Sequence, residues 1–251
     1  MRLKDRVAIV TGGGTGIGRG ISEALAAEGA RVIVNYARSK EESDATVAAI
    51  LAAGGDAVAL QTDVTVEAEV KQLFESTLQT HGRLDILVNN AGWSKRTPHD
   101  QLDDLTDDIW DRTLNTNLRG AFNCMRQAAP ILKQNPGSTI INIASIAPHY
   151  GGGSSIVYAA SKAGLLSMTK SFARILAPNV RVNSISPGFV KTRFAGWPPE
   201  TFIEAEKNSI LNRLVSPTDI GKAAVFLAAD ALSMTGENIN IDFGQTALRR
   251  N

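Results

Sequence analysis

The chain has 251 residues, of which 43% are hydrophobic and 20% charged, with a net charge of +1. That length can bury a large core, and so even a charge balance excludes the basic face of a nucleic-acid binder or an anionic-membrane binder. No apolar run approaches the ~20 residues of a membrane helix, Cys124 is single, and His81, His99 and His149 lack metal-ligand spacing, so disulfide, metal and membrane roles fall away together.

The first six residues carry no apolar signal region and run straight into a strand, as expected of a soluble cytoplasmic protein. Short β-branched runs then alternate with longer helical patterns. The spacing predicts strands at 7–10, 31–35, 56–61, 86–88, 139–143, 181–185 and 238–241. It predicts helices near 18–28, 41–53, 67–80, 107–132, 156–176 and 218–229. Several strands are apolar throughout, as in a parallel sheet covered on both faces. Repeated βα units imply the α/β class, with one doubly wound, seven-stranded domain over 1–251. Residues 187–208 read as a long irregular insertion rich in aromatics, the kind of loop that serves as a substrate lid.

The first strand ends in Thr11-Gly12-Gly13-Gly14-Thr15-Gly16-Ile17-Gly18, where a helix begins. Glycines there let backbone N–H groups approach a pyrophosphate, and the helix N-terminus adds partial positive charge. A glycine-rich turn can also be plain punctuation. Its place in the first βα unit favours Gly12, Thr15, Gly16, Ile17 and Gly18 as nucleotide-binding. The second strand ends in Asn35-Tyr36-Ala37-Arg38-Ser39-Lys40, with no acid before Glu41. An acid there would bind the ribose hydroxyls of NAD and repel a 2′-phosphate. Arg38 and Ser39 suit that phosphate instead, so NADP is favoured. The alternative is a solvated basic turn.

Near the middle, Tyr158 and Lys162 stand four apart, on one face of a predicted helix. An ammonium ~4 Å from a phenol, at an effective dielectric of about 20, favours the phenolate by roughly 4 kcal/mol, or about three pKa units. The pair is therefore expected to act as an acid–base centre near neutral pH. A surface Lys one turn from a half-buried Tyr is the plain alternative.

Taken in order, these segments resemble the short-chain dehydrogenase/reductase (SDR) family along nearly the whole chain. The 11–18 loop matches its TGxxxGxG, and Asn89-Asn90-Ala91-Gly92 matches its NNAG. Pro187-Gly188-Phe189-Val190-Lys191-Thr192 is similar to its PG…T element. The resemblance implies a Rossmann domain, with Asp63 and Val64 at the adenine and Tyr36 near the position of the acid in NAD-linked members. It places Asn90, Ala91 and Gly92 along the cofactor cleft, and Pro187, Gly188, Val190 and Thr192 beside the nicotinamide.

The resemblance also implies a catalytic set of Ser145, Tyr158, Lys162 and Asn117. Ser145 would donate to the substrate oxygen, and Tyr158 would give or take the proton. Lys162 would lower the Tyr158 pKa and hold the nicotinamide ribose, while Asn117 would hold a relay water. Trp93, Ile146, His149, Tyr150, Phe189, Phe194, Trp197 and Phe202 suggest an apolar or aromatic-bearing carbonyl or alcohol substrate. The overall pattern is closest to 3-oxoacyl thioester reductases acting on carrier-bound chains. An acidic carrier would want a basic patch, for which Arg119, Arg126, Lys133 and Arg174 are available. Two alternatives stand beside this reading: an NAD-linked dehydrogenase of a small alcohol or sugar, and a non-catalytic NADP-binding sensor. Near the end, Asp242-Phe243-Gly244 departs from the family's DGG. The small residues Ala159, Ala160, Ala163, Gly164 and Ser167 suit the helix contact of the family's homotetramers or dimers.

Overall fold

The computed structural model describes residues 1–246; positions 247–251 of the expected domain lie outside the described residues. Strands β1 (Val7–Val10), β2 (Arg31–Tyr36), β3 (Asp56–Gln61), β4 (Ile86–Asn89), β5 (Ser138–Ile143), β6 (Val180–Pro187) and β7 (Asn238–Ile241) form one sheet in the order β3-β2-β1-β4-β5-β6-β7. Every neighbouring pair is parallel. The helices are α1 (Gly16–Ala27), α2 (Lys40–Ala52), α3 (Glu67–His81), α4 (Asp107–Leu114), α5 (Gly120–Leu132), α6 (Ile156–Leu176), α7 (Pro199–Asn208) and α8 (Pro217–Ala229).

Side chains alternate between two cores because successive residues of a strand point to opposite faces. Ala8, Val10, Val32, Val34 and Val88 pack with Ile21 and Leu25 of α1 and Ile220 of α8. Val7, Ile9, Ile33 and Leu87 pack with Phe74 of α3, Met125 of α5 and Leu165 of α6. Both faces of the sheet are thus covered, which is why its central strands β1 and β4 read as nearly continuous apolar runs. At the amino end of the sheet, buried Asp85 accepts from Arg6, Arg83 and the Val7 N–H. Burial alone would push its carboxyl up; those bonds win and hold it below the usual carboxylate range.

The 187–208 stretch is more ordered than the sequence suggested. A short 3₁₀ turn at Phe194–Gly196 precedes the ten-residue α7. Pro199 starts that helix because its missing N–H has no partner to lose there, and Phe202 and Ala205 bury one face. The helix expected over 107–132 is interrupted by a π-helical turn at Asn115–Arg119.

Candidate active site

Strand order reverses between β1 and β4, and there the strand ends open a cleft of about 890 Å³. Its floor is the loop after β1. The Asn90 amide donates to the Thr11 and Gly12 carbonyls at 2.9 and 3.0 Å, and the Thr11 hydroxyl accepts from the Asn90 and Ala91 N–H groups. Gly12 takes φ of 60°, and a Cβ on Gly18 would lie 2.1 Å from the Gly12 carbonyl oxygen. A larger residue at either position would break the cradle. Thr15 precedes α1 without a side-chain cap, so the first-turn N–H groups keep their capacity for an anion. These features fit a dinucleotide pyrophosphate.

Gly12, Thr15, Gly16, Ile17, Asn90, Ala91, Gly92, Ser145, Tyr158, Lys162, Pro187, Gly188, Val190 and Thr192 all line this one cleft. Gly18 packs beneath the loop instead. Tyr36, Arg38, Ser39, Asp63 and Val64 lie outside the cavity, at the ends of β2 and β3. Arg38 is exposed and makes no ion pair among the described residues, whereas Lys40 pairs with Asp44. Asp63 accepts from the Thr65 N–H and hydroxyl, and the Val64 carbonyl accepts from Asn123.

Helix α6 presents the candidate acid–base pair. Ser155 caps it, its hydroxyl accepting from the Tyr158 N–H at 3.2 Å. Lys162 follows one turn later, buried, with Nζ donating to the Ile143 carbonyl at 2.8 Å. It sits 5.9 Å from the Tyr158 ring centre. The sequence led us to expect a depressed Tyr158 pKa; the structure reverses that direction. Burial pushes the phenol up to about 12, outweighing a hydrogen bond with Ser145 that lowers it. Burial also brings Lys162 down to about 8. The ammonium is tied to a backbone carbonyl rather than to the phenol, and desolvation disfavours both charged forms. Ser145 also accepts from the Ala147 N–H at 3.1 Å.

Asn117 lies in the π-helical turn, below the cleft. Its side chain accepts from the Trp93 N–H at 2.7 Å and donates to the Trp93 carbonyl and the Ser161 hydroxyl, each at 3.0 Å. It thereby ties the loop after β4 to α6. The Asn117 side chain is thus engaged by protein groups on both its ends.

Trp93, Ile146, Tyr150, Phe189, Phe194 and Trp197 line the substrate side; His149 and Phe202 do not. Phe194 stands over Tyr158 with ring centres 5.7 Å apart, and Phe189 meets Trp197 at 5.4 Å. Arg119 and Arg126 lie together in a separate hollow among α4, α5 and α6, away from the cleft.

Sequence reasoning missed several residues. Buried Asn35 stands at the end of β2, where an acid was sought, and braces Gly12 against the Leu60 and Thr62 carbonyls. Its position there was the available signal. Ser94 and Ser154 share a hydrogen bond of 2.6 Å in the cleft wall. Arg19, Glu42 and Arg193 also line the cleft, and no local pattern in the sequence marks them.

Known proteins are similar along nearly the whole chain. The family described as Enoyl-(Acyl carrier protein) reductase matches residues 12–246. The 3-oxoacyl-(acyl-carrier-protein) reductase FabG of Staphylococcus aureus strain Mu50 is 38% identical over 240 residues, covering 94% of this chain and 96% of that protein. The FabG of Thermotoga maritima is 36% identical over 97% of this chain and 99% of its own length. Among solved structures, a short-chain dehydrogenase from Burkholderia cenocepacia in complex with NADP superposes with a TM-score of 0.90 at 33% identity, over 98% of this chain and all (100%) of that one. Fold, cleft and sequence agree: the chain belongs to the short-chain dehydrogenase/reductase family, the oxidoreductases that interconvert C=O and CH–OH groups with a nicotinamide cofactor.

Proposed function

We propose that this protein is an NADP-dependent reductase of 3-oxoacyl thioesters carried on an acyl carrier. The observation that carries the proposal is the meeting of Ser145, Tyr158 and Lys162 with the glycine loop along one cleft. Gly12, Thr15, Gly16 and Ile17 would hold the pyrophosphate, with Asn90, Ala91 and Gly92 along its path. Asp63 and Val64 would meet the adenine, Tyr36, Arg38 and Ser39 the ribose and its 2′-phosphate, and Pro187, Gly188, Val190 and Thr192 the nicotinamide. When bound, NADPH supplies the hydride.

The residues do the rest. With its pKa near 12, Tyr158 is protonated at neutral pH, the state needed to give a proton to a carbonyl oxygen gaining charge. Ser145 donates a hydrogen bond to that oxygen. Lys162, still mostly cationic below about 8, offsets the phenolate left behind. Asn117 positions Trp93 and Ser161, and the aromatic wall excludes water from the reacting carbon. Relatives named as acyl-carrier-protein reductases support the substrate.

Exposed Trp110 and Phe122 on α4 and α5, beside the small residues of α6, support a homotetramer built on those helices. A cytoplasmic location is part of the same proposal. Among the described residues no helix is long and apolar enough to cross a membrane. A second reading, a compact apolar ketone or secondary alcohol as substrate, is favoured by the aromatic pair Phe189–Trp197. A panel of acetoacetyl thioesters and free ketones, run with NADPH and NADH, decides. Turnover of thioesters supports the first reading, and turnover of free ketones alone replaces it with the second.

A further inference from the structure

The family resemblance gives no role to Glu42 or Arg193, yet the two meet across the cofactor cleft. Arg193 Nη1 donates to Glu42 Oε1, joining the segment after β6 to the first turn of α2 over 151 residues of chain. Both side chains line the cleft together with Gly14, Thr15, Gly16 and Arg19. The neighbouring Thr192 fixes where this pair sits. Its Cγ2 is 3.2 Å from the place a Cβ on Gly16 would occupy, so the segment lies directly on the start of α1. That is the end of the cleft built for phosphate.

A carboxylate at that place opposes an anionic ligand, and here it is neutralised by an arginine that is itself a good phosphate ligand. The Arg193 guanidinium holds the Glu42 carboxyl below its ordinary range. Both side chains remain partly exposed, at 68% and 43%, so the pair is readily exchanged.

We propose that Arg193 is a ligand of the cofactor pyrophosphate that Glu42 holds at the cleft until the cofactor displaces it. The proposal rests on reading the cleft as the NADP site. Glu42 competes with the phosphate for one guanidinium, so the two residues must act with opposite sign. Removing the arginine weakens cofactor binding; removing the competing charge strengthens it. A purely structural latch would instead make the two variants behave alike. Because the pyrophosphate is common to both cofactors, NADPH and NADH must be affected together, unlike any effect at Arg38.

The test is the dissociation constant of NADPH and of NADH, read by nicotinamide fluorescence on the intact enzyme without substrate. R193A should raise both constants about ten- to a hundredfold, the range of one charge-assisted phosphate bond. R193K should recover part of that loss, and E42Q should lower both constants. Equal weakening by R193A and E42Q, or no change in either, overturns the phosphate-ligand role while leaving the cofactor site intact. Wild-type protein that binds neither nucleotide overturns the role and the proposed function together.

Discussion

At Tyr158 the fold biases protonation toward the neutral phenol. Carbonyl reduction needs that proton, so Tyr158→Phe should keep NADPH binding and lose hydride transfer; more than a few per cent of wild-type kcat would refute the role. The pH dependence has a definite sign. Lys162 is charged below about 8 and Tyr158 protonated below about 12, so reductive kcat/KM should hold through neutral pH and fall as pH rises past about 8. The oxidative reaction needs the phenolate offset by charged Lys162, so it should rise with pH up to about 8 and level off above it. Rate profiles in both directions check this. At the other end of the cofactor, exposed Arg38 has no competing ion pair among the described residues. A charge-assisted bond to phosphate is worth roughly 1.5–3 kcal/mol, so Arg38→Ala should raise the KM for NADPH about ten- to a hundredfold and leave that for NADH nearly unchanged. Tyr36→Asp should move preference further toward NADH. Equal loss with both cofactors would make Arg38 an ordinary solvated residue.

Among the elements, α6 bears the proposed acid–base pair Tyr158 and Lys162, and its first turn depends on one hydroxyl. Ser155 caps the Tyr158 N–H itself, so Ser155→Ala should cost about 1 kcal/mol of stability and also loosen the phenol's placement. Thermal unfolding and kcat measured on the same variant separate the two effects; an unchanged melting temperature would show the cap to be dispensable. The α4–α5 region teaches a different lesson. Apolar spacing over 107–132 reads as one helix, but the π-helical turn inserts a residue that aims the Asn117 amide at Trp93. Such a bulge leaves the surrounding periodicity nearly intact, so pattern alone passes over it. In α7 the signals were present, with Pro199 at the start and Glu200 in the first turn, but the Pro198-Pro199 pair and the scarce apolar residues masked them.

For the molecule as a whole, the two cores take in most apolar strand side chains, but Trp110 and Phe122 remain 41% and 38% exposed. With Leu114, Leu118 and Met168, Phe122 borders the hollow among α4, α5 and α6. Covering that face with a second copy would give a two-fold contact of the ordinary kind, and a second, different two-fold contact would close a tetramer. Light scattering should therefore find a tetramer, or a dimer at the least. A stable monomer at micromolar concentration would eliminate this assembly, and Phe122→Asp should push the equilibrium toward monomers.

The central strands β1 and β4 were legible because side chains buried on both sheet faces are mostly apolar, a demand each short run states locally. Positions 7–10, 56–61 and 238–241 have the same limits in sequence and structure. The glycine loop was legible for a similar reason: Gly12 answers to its own φ of 60° and Gly18 to the Gly12 carbonyl six residues back. The pKa values were not legible. Spacing places Tyr158 and Lys162 on one face, but only the packed structure sets how deeply each is buried and where the ammonium is bonded. That burial reversed the expected direction, because desolvation acts through every surrounding element and not through one neighbour. Asn35, Glu42 and Arg193 likewise gain their places from β3, α2 and the segment after β6 meeting at one rim. Residues that far apart in sequence become neighbours only when the sheet assembles, so only the tertiary structure could decide what they touch.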